Sequence, residues 1–290
     1  MWILWALLSA LFAATRRTQE KQLTHHLNHF TIAFVVQLLS LPIILLALIL
    51  HGGFINPLHL GLNFWLPLIV VCIGFYPLNA FLYLQAVKHS ELSKVLPIQS
   101  LWPVFSLLPA WLTLGEIPTI ISTVGILLTV LGVYVLGMKS NVLYHPLQPF
   151  REEQGSRYML FAVMLVTLAG VLDKVAINAS NAVYYSFTST VGAVVALFVT
   201  LCIYKINEFT ELKNNVKNLG VIGTLQGSSY TTYLLALSAG PIAYVAAIRS
   251  SNVLLGSLLG IVVLKEKLTA YKIVSFTLIL VGGTLLALGS

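Results

Sequence analysis

Charge is what this chain has least of. Asp, Glu, Lys and Arg make up only 9% of its 290 residues, against about 25% in soluble domains. Apolar residues make up 58% and the mean hydropathy is +0.92. A soluble fold cannot cover its surface from that composition, so the chain is expected to be an integral membrane protein. Cysteine is nearly missing as well. Cys72 and Cys202 both lie inside apolar runs, where they read as small apolar fillers, and they exclude a disulfide framework or a thiolate metal site. The apolar runs contain no histidine and almost no acid, so a membrane-depth cluster of acid, base and nucleophile is not expected, and neither is enzymatic activity. No phosphate-cradling P-loop occurs, which excludes ATP as the direct energy source, and no cofactor or metal is implied. The net charge of +7 is scattered between apolar runs and forms no basic face, so nucleic acid is not an expected partner.

What is present are apolar runs of membrane-crossing length. A hydrocarbon core of about 30 Å takes roughly 20 apolar residues per helix. Ten segments qualify or come close: Met1 to Ala14, Thr31 to Leu50, Phe64 to Gln85, Val95 to Leu114, Thr119 to Gly137, Tyr158 to Leu172, Ala182 to Tyr204, Leu219 to Leu237, Pro241 to Leu264 and Tyr271 to Leu288. The first is short for a span, but no basic residue precedes it, so it reads as a membrane helix and not as a cleaved signal. Counting loops from the N-terminus, the odd ones and their edges carry fourteen Lys and Arg residues, whereas the other side carries Lys174 alone. Basic loops stay in the cytoplasm, so both termini are expected outside, with the chain in a bacterial inner membrane.

The chain also repeats itself. Shifted by 150 residues, YLQAVKHSELSKVLPIQS (Tyr83 to Ser100) falls without a gap on YLLALSAGPIAYVAAIRS (Tyr233 to Ser250). The register continues through Leu114-Gly115-Glu116 over Leu264-Lys265-Glu266, and on to Gly132 over Gly282. Five helices per half is an odd number, so the second half enters the membrane from the opposite side, the inverted repeat of secondary transporters. The expected organisation is a first repeat over residues 1–140, a connection over 141–156 and a second repeat over 157–290. Two five-helix halves, the glutamate-bearing turns LGEIPT and LKEKLT, and a glycine sixteen residues after each glutamate resemble the drug/metabolite transporter superfamily, specifically its ten-helix EamA-like branch. The resemblance implies ten transmembrane helices, an all-α membrane fold and a small polar metabolite, such as an amino acid, as cargo. It also implies cytoplasmic termini, opposite to the charge count.

Polar residues inside the spans indicate where such a cargo would bind. Arg249 stands in the ninth segment opposite Gln99 of the fourth in the repeat register. An ionised group at that depth costs from about 2.5 to more than 10 kcal/mol and normally faces water or a partner. Either Arg249 binds a carboxylate or phosphate on the substrate with its fork of donors, or it pairs within the protein. Trp102 and Asn252 join these two residues. In the third and eighth segments, Tyr76, Asn79 and Tyr83, and Gln226, Tyr230 and Tyr233, share helix faces at their spacing. Tyr185 of the seventh, with Tyr184 and Ser189, belongs to the same set. Asp173 ends a segment beside Lys174 and reads as a local pair or a proton-coupling carboxylate. The prolines Pro97, Pro103 and Pro109 mark the fourth segment for a kink. Gly256 and Gly260 form a small-xxx-small pattern for close helix packing, and His25, His26 and His29 have a weak metal-like spacing. The expected function is a secondary transporter working by alternating access on a small polar metabolite: an amino acid, an organic acid or a phosphorylated compound. A cationic or lipid-linked substrate, or a non-transporting scaffold or receptor, is the alternative. Proton coupling or exchange stays open, as does a monomer or weak homodimer.

Overall fold

A computed structural model describes residues 1–20, 29–51, 53–90, 98–137, 154–203, 216–264 and 270–289. Among them there is no strand. The helices follow the expected ten segments: α1 (Trp2–Glu20), α2 (His29–His51), α3 (Leu62–Ile69, a π-helical turn Val70–Phe75, then Tyr76–His89), α4 (Trp102–Leu114), α5 (Ile120–Gly137), α6 (Gln154–Asn178), α7 (Ala182–Ile203), α8 (Val216–Ala239), α9 (Ile242–Ser250, then Asn252–Leu264) and α10 (Ala270–Leu288). The N-terminal segment, short when measured by apolar residues alone, becomes a 19-residue helix because it continues through its polar end. At about 1.5 Å per residue it is some 28 Å long, enough for a crossing. Phe30–His51, Leu62–Ala86, Gln154–Asn178, Ala182–Ile203 and Tyr271–Leu288 reach crossing length and hydropathy outright.

Without a hydrophobic force between helices in lipid, association rests on close packing and on hydrogen bonds across helices. The helices gather into two compact units, each drawing on both repeats. One comprises Met1–Ala80 and Leu172–Ala239, the other Phe81–Val171 and Gly240–Ser290. In the first, α8 packs on α1, α2 and α7. Ser9 and Ser229 exchange hydrogen bonds, each hydroxyl donating to the other's carbonyl at 2.8 and 3.0 Å. At Gly227 of α8, an added Cβ would lie 2.9 Å from the Ser40 carbonyl oxygen of α2. Ile32, Val36, Leu219 and Ile222 form the apolar centre of that contact.

In the second unit α5 and α10 form the tightest pair. A Cβ at Gly125 would meet the Gly282 carbonyl oxygen at 2.8 Å, and Ser275 donates its hydroxyl to the Gly132 carbonyl. The 150-residue register exchanges these two contacts, Gly125 with Ser275 and Gly132 with Gly282, so the α5–α10 seam carries the symmetry of the repeat. The expected close approach at Gly256 is not seen among the described residues. An added Cβ at Gly256 would meet nothing within 4 Å.

Two boundaries differ from the sequence expectation with chemical consequences. Helix α6 runs on to Asn178, so Asp173 and Lys174 lie inside it and not at its end. The α6–α7 turn is set by Asn181, whose Oδ1 accepts from Tyr184 N–H at 2.7 Å and so caps α7. Helix α9, expected continuous from Pro241 to Leu264, is interrupted at Ser251. Helix α4 is interrupted likewise, with Ile98 and Gln99 helical, a turn at Ser100 and Leu101, and helix again from Trp102.

Candidate functional site

The interruptions of α4 and α9 are the same structure used twice. Leu101 N–H donates to Ile98 C=O at 3.1 Å, and Ser251 N–H donates to Ile248 C=O at 3.0 Å. Regular bonding resumes with Phe105 to Leu101 and Leu255 to Ser251, at 3.0 and 2.9 Å. Each pair is related by the 150-residue register. Proline is therefore not the common cause, because α9 has none near its break. In α4, Pro103 stands in the first turn, where its missing N–H costs nothing. Pro97 lies outside the described residues.

Four sequence-predicted residues flank these breaks. Gln99 and Arg249 immediately precede them in equivalent positions, and Trp102 and Asn252 follow in equivalent positions. Within this unit the fold brings Arg249 over the Trp102 ring, its guanidinium carbon 5.7 Å from the ring centroid. That distance is within the range of a cation–π contact, worth about 0.5–2 kcal/mol. Arg249 also occupies the last turn of the first half of α9, where the partial negative charge of a helix C-terminus favours a cation. These two effects make a half-buried guanidinium tolerable. Trp102 packs in turn, with Tyr83, on the cluster of Ala86, Ile98, Met159, Ala162 and Val163. Asn252 is 9% exposed and its Oδ1 has no hydrogen-bond partner among the described residues. Gln99 is half-buried and likewise makes no side-chain hydrogen bond among them.

The other unit holds a second polar cluster, on α2, α3, α6, α7 and α8. Tyr185, fully buried, donates its hydroxyl to Asp173 Oδ1 at 2.7 Å, and Asp173 is itself only 6% exposed. One turn along α7, the Ser189 and Tyr230 hydroxyls share a hydrogen bond at 3.1 Å, and the Ser189 carbonyl accepts from Cys72 Sγ at 3.3 Å. The π-helical turn presents Cys72 to this point. Such turns recur at functional sites because they re-aim side chains at the cost of one regular bond. Gln37 of α2 donates to the Tyr76 hydroxyl at the end of the same turn. Phe64 covers the cluster, its ring 5.8 Å from Tyr184 and 6.1 Å from Tyr185. Of the sequence-predicted residues, Tyr76, Tyr185 and Tyr230 enter this network, and Tyr233 stacks beside Tyr230 at 6.4 Å. Asn79 and Gln226 stay half-buried without a side-chain hydrogen bond among the described residues.

Sequence reasoning missed Gln37 and the polar role of Cys72. Gln37 could have been found, as the single amide in the apolar run FTIAFVVQLLSLPIILL. His25 and His26 fall outside the described residues, as does the LKEKLT turn from Lys265 to Thr269.

A model of the EamA-like transporter family matches residues 1–138 and 154–288. No curated protein sequence matches the chain. Among solved structures, a protein of known crystal structure aligns over 99% of this chain and 96% of its own, with a TM-score of 0.80 and 15% sequence identity. Identity that low carries the fold alone.

Proposed function

Because the chain belongs to the EamA-like transporter family, and is therefore an integral membrane transporter of ten helices in two inverted repeats, we propose that its cargo is a small polar metabolite bearing a carboxylate or phosphate. Amino acids, organic acids and phosphorylated compounds fit that description. The movement is alternating access, in which the two repeats exchange conformations about a central site.

The observation that carries this reading is the pair of matched helix breaks with Arg249 stacked on Trp102. A guanidinium can give a carboxylate or phosphate two parallel, charge-assisted hydrogen bonds. The unsatisfied amides add to it. A buried polar atom without a partner costs about 1–3 kcal/mol, and at the breaks the Asn252 Oδ1 has no hydrogen-bond partner and Gln99 makes no side-chain hydrogen bond among the described residues. Polar cargo and its water supply what the protein does not. The same contact weighs against a cationic cargo, because the Trp102 face that would hold a cation already faces Arg249.

The test is thermal stabilisation of the purified protein by amino acids, organic acids, phosphorylated sugars and quaternary amines, compared between the wild type and Arg249→Gln. A ligand at a hundred times its Kd stabilises by about 2.7 kcal/mol, so binders are separable from bystanders. Anionic compounds are expected to stabilise the wild type only. Equal stabilisation of both proteins by quaternary amines would overturn the assignment.

A further inference from the structure

We propose that Asp173 is a proton-binding site, and that its protonation is coupled to transport. The coupling rests on the transporter reading above, whereas the proton site stands on its own geometry.

Asp173 lies inside α6, five residues before its end at Asn178. At about 1.5 Å per residue, that is some 7–8 Å in from the end of the helix. Ionisable residues inside membrane spans are costly, and those that persist commonly mark ion and proton pathways. Its enclosure decides which ligand can reach it. With Asp173 at 6% exposure and its partner Tyr185 at 0%, the carboxylate is closed to a metabolite-sized ligand and open only to a proton handed over by a neighbouring hydroxyl. That neighbour is Tyr185, which donates to Asp173 at 2.7 Å. A second hydroxyl pair, Ser189 of α7 with Tyr230 of α8 at 3.1 Å, lies one turn further along α7, where Ser189 also donates to the Tyr185 backbone carbonyl at 2.6 Å. Among the described residues, titratable groups facing Asp173 include Tyr185 from α7, Tyr230 from α8 and Cys72 from α3, with Tyr76 beyond Tyr230. Lys174 follows Asp173 on α6 itself. Tyrosine hydroxyls and a thiol can each give and accept a proton, so the surroundings can serve either state of the carboxyl group.

The two states differ in what they hold together. Ionised, Asp173 accepts a charge-assisted bond from Tyr185 that ties α6 to α7. Protonated, it keeps at most a neutral bond of about half that strength. Binding one proton forms the carboxyl O–H bond and removes one negative charge from the protein interior, and its release on the other side restores the carboxylate. No further reactant is needed. The contact that loosens belongs to α7, whose Ser189 also receives Cys72 from the π-helical turn of α3.

The deciding measurement is infrared titration of the full chain in lipid nanodiscs, for the wild type, Asp173→Asn, Tyr185→Phe and Arg249→Gln. The band of a buried, protonated carboxyl is expected to grow as pH falls in the wild type. It should be missing from Asp173→Asn, displaced in frequency in Tyr185→Phe and unchanged in Arg249→Gln. A band that survives in Asp173→Asn, or an Asp173 that stays ionised at every pH where the wild type remains folded, overturns the proposal. Asp173→Glu keeps the comparison valid if the asparagine variant fails to fold, because the band should then move and not vanish.

Coupling is read in proteoliposomes with the membrane potential clamped, using succinate, L-aspartate and glycerol 3-phosphate as probes. One proton per substrate gives about tenfold accumulation for each unit of imposed pH difference. Asp173→Asn should lose that accumulation and keep exchange of labelled for unlabelled probe. Wild-type exchange that ignores the pH difference refutes coupling and leaves the transporter reading intact. If no probe is exchanged, the proposed cargo class is what fails, and the infrared result still decides the proton site.

Discussion

Glu116 offers the sharpest test of how the repeat motif works. The side chain follows Gly115, whose φ of 68° ends α4 in the left-handed conformation that glycine adopts at no steric cost. Glu116 Oε2 then accepts the N–H of Ile242, the first residue of α9, at 2.8 Å, and Thr119 N–H donates to the Tyr244 hydroxyl at 3.2 Å. The first N–H groups of a helix have no intrahelical acceptor, and Pro241, at the cap position of α9, supplies no side-chain bond. Glu116 is therefore a cap delivered from a distant part of the sequence. Removing a cap costs about 0.5–2 kcal/mol, and an anion at a helix N-terminus adds about 0.3–1 kcal/mol. Half-exposure of Glu116 trims both, which leaves about 1–2 kcal/mol for Glu116→Ala. Glu116→Gln keeps an acceptor oxygen and loses only the charge, so it should cost about 0.3–1 kcal/mol. In thermal unfolding followed by tryptophan fluorescence, at about 2–4 °C per kcal/mol, the alanine variant should melt several degrees lower and the glutamine variant one or two. Equal losses for both variants, or none for alanine, would refute the capping role.

Gly282→Val should destabilise by about 1–3 kcal/mol through overpacking, because its Cβ would lie 2.6 Å from the Gly125 carbonyl oxygen. Gly256→Val should be near neutral in the same melt, since nothing lies within 4 Å. Trp102→Ala removes the face that holds Arg249 and should weaken anion binding about 2- to 30-fold, the equivalent of about 0.5–2 kcal/mol, measured by titration calorimetry with the anions that stabilise the wild type. A cysteine placed at Ser290, in a chain with Cys202 replaced, should react with an impermeant reagent on intact cells if the charge asymmetry sets orientation. Labelling only after lysis would put the terminus in the cytoplasm.

Number and order of helices were legible because hydrocarbon imposes a length and a composition that survive in the sequence. Internal symmetry was legible because the shifted identities, Ile98 with Ile248 and Ser100 with Ser250, are ordered without gaps. Helix ends were less legible. Asp173 looked terminal because apolar residues stop at Leu172, but α6 continues for six residues on backbone bonding that side-chain polarity does not report. The partner of Asp173 was out of reach for the same reason. Tyr185 follows in sequence across a helix turn, and only the packing of α7 on α6 shows which hydroxyl meets the carboxylate. A partner for Gly256 was not legible, since a small-xxx-small pattern states that approach is permitted and not which helix arrives. Arg249 and Trp102 were each singled out, yet their contact joins residues 147 positions apart, which periodicity within a helix cannot encode.

The two breaks explain why backbone and side chains follow different rules at this site. Alternating access through inverted repeats asks each half to adopt the conformation of the other, so the backbone elements that bend must be equivalent. The two breaks are equivalent in that sense: the same 3₁₀-type bond closes each, on Ile98 in one repeat and Ile248 in the other. Recognition asks for the reverse. A single polar cargo bound at a pseudo-symmetric centre would have two equal orientations if the flanking side chains matched. They do not match. The register sets Arg249 against Gln99 and Trp102 against Asn252, so one diagonal carries the Arg249–Trp102 contact and the other carries two amides. On the proposed reading, one charge on one diagonal would give the cargo a single preferred orientation while the breaks remain interchangeable. If the amide diagonal serves recognition, Asn252→Ala should weaken anion binding without moving the Arg249–Trp102 contact. Loss of a hydrogen bond worth about 0.5–1.5 kcal/mol corresponds to a roughly two- to twelvefold rise in Kd. An unchanged Kd in that variant would leave Asn252 with a purely structural part in restarting α9.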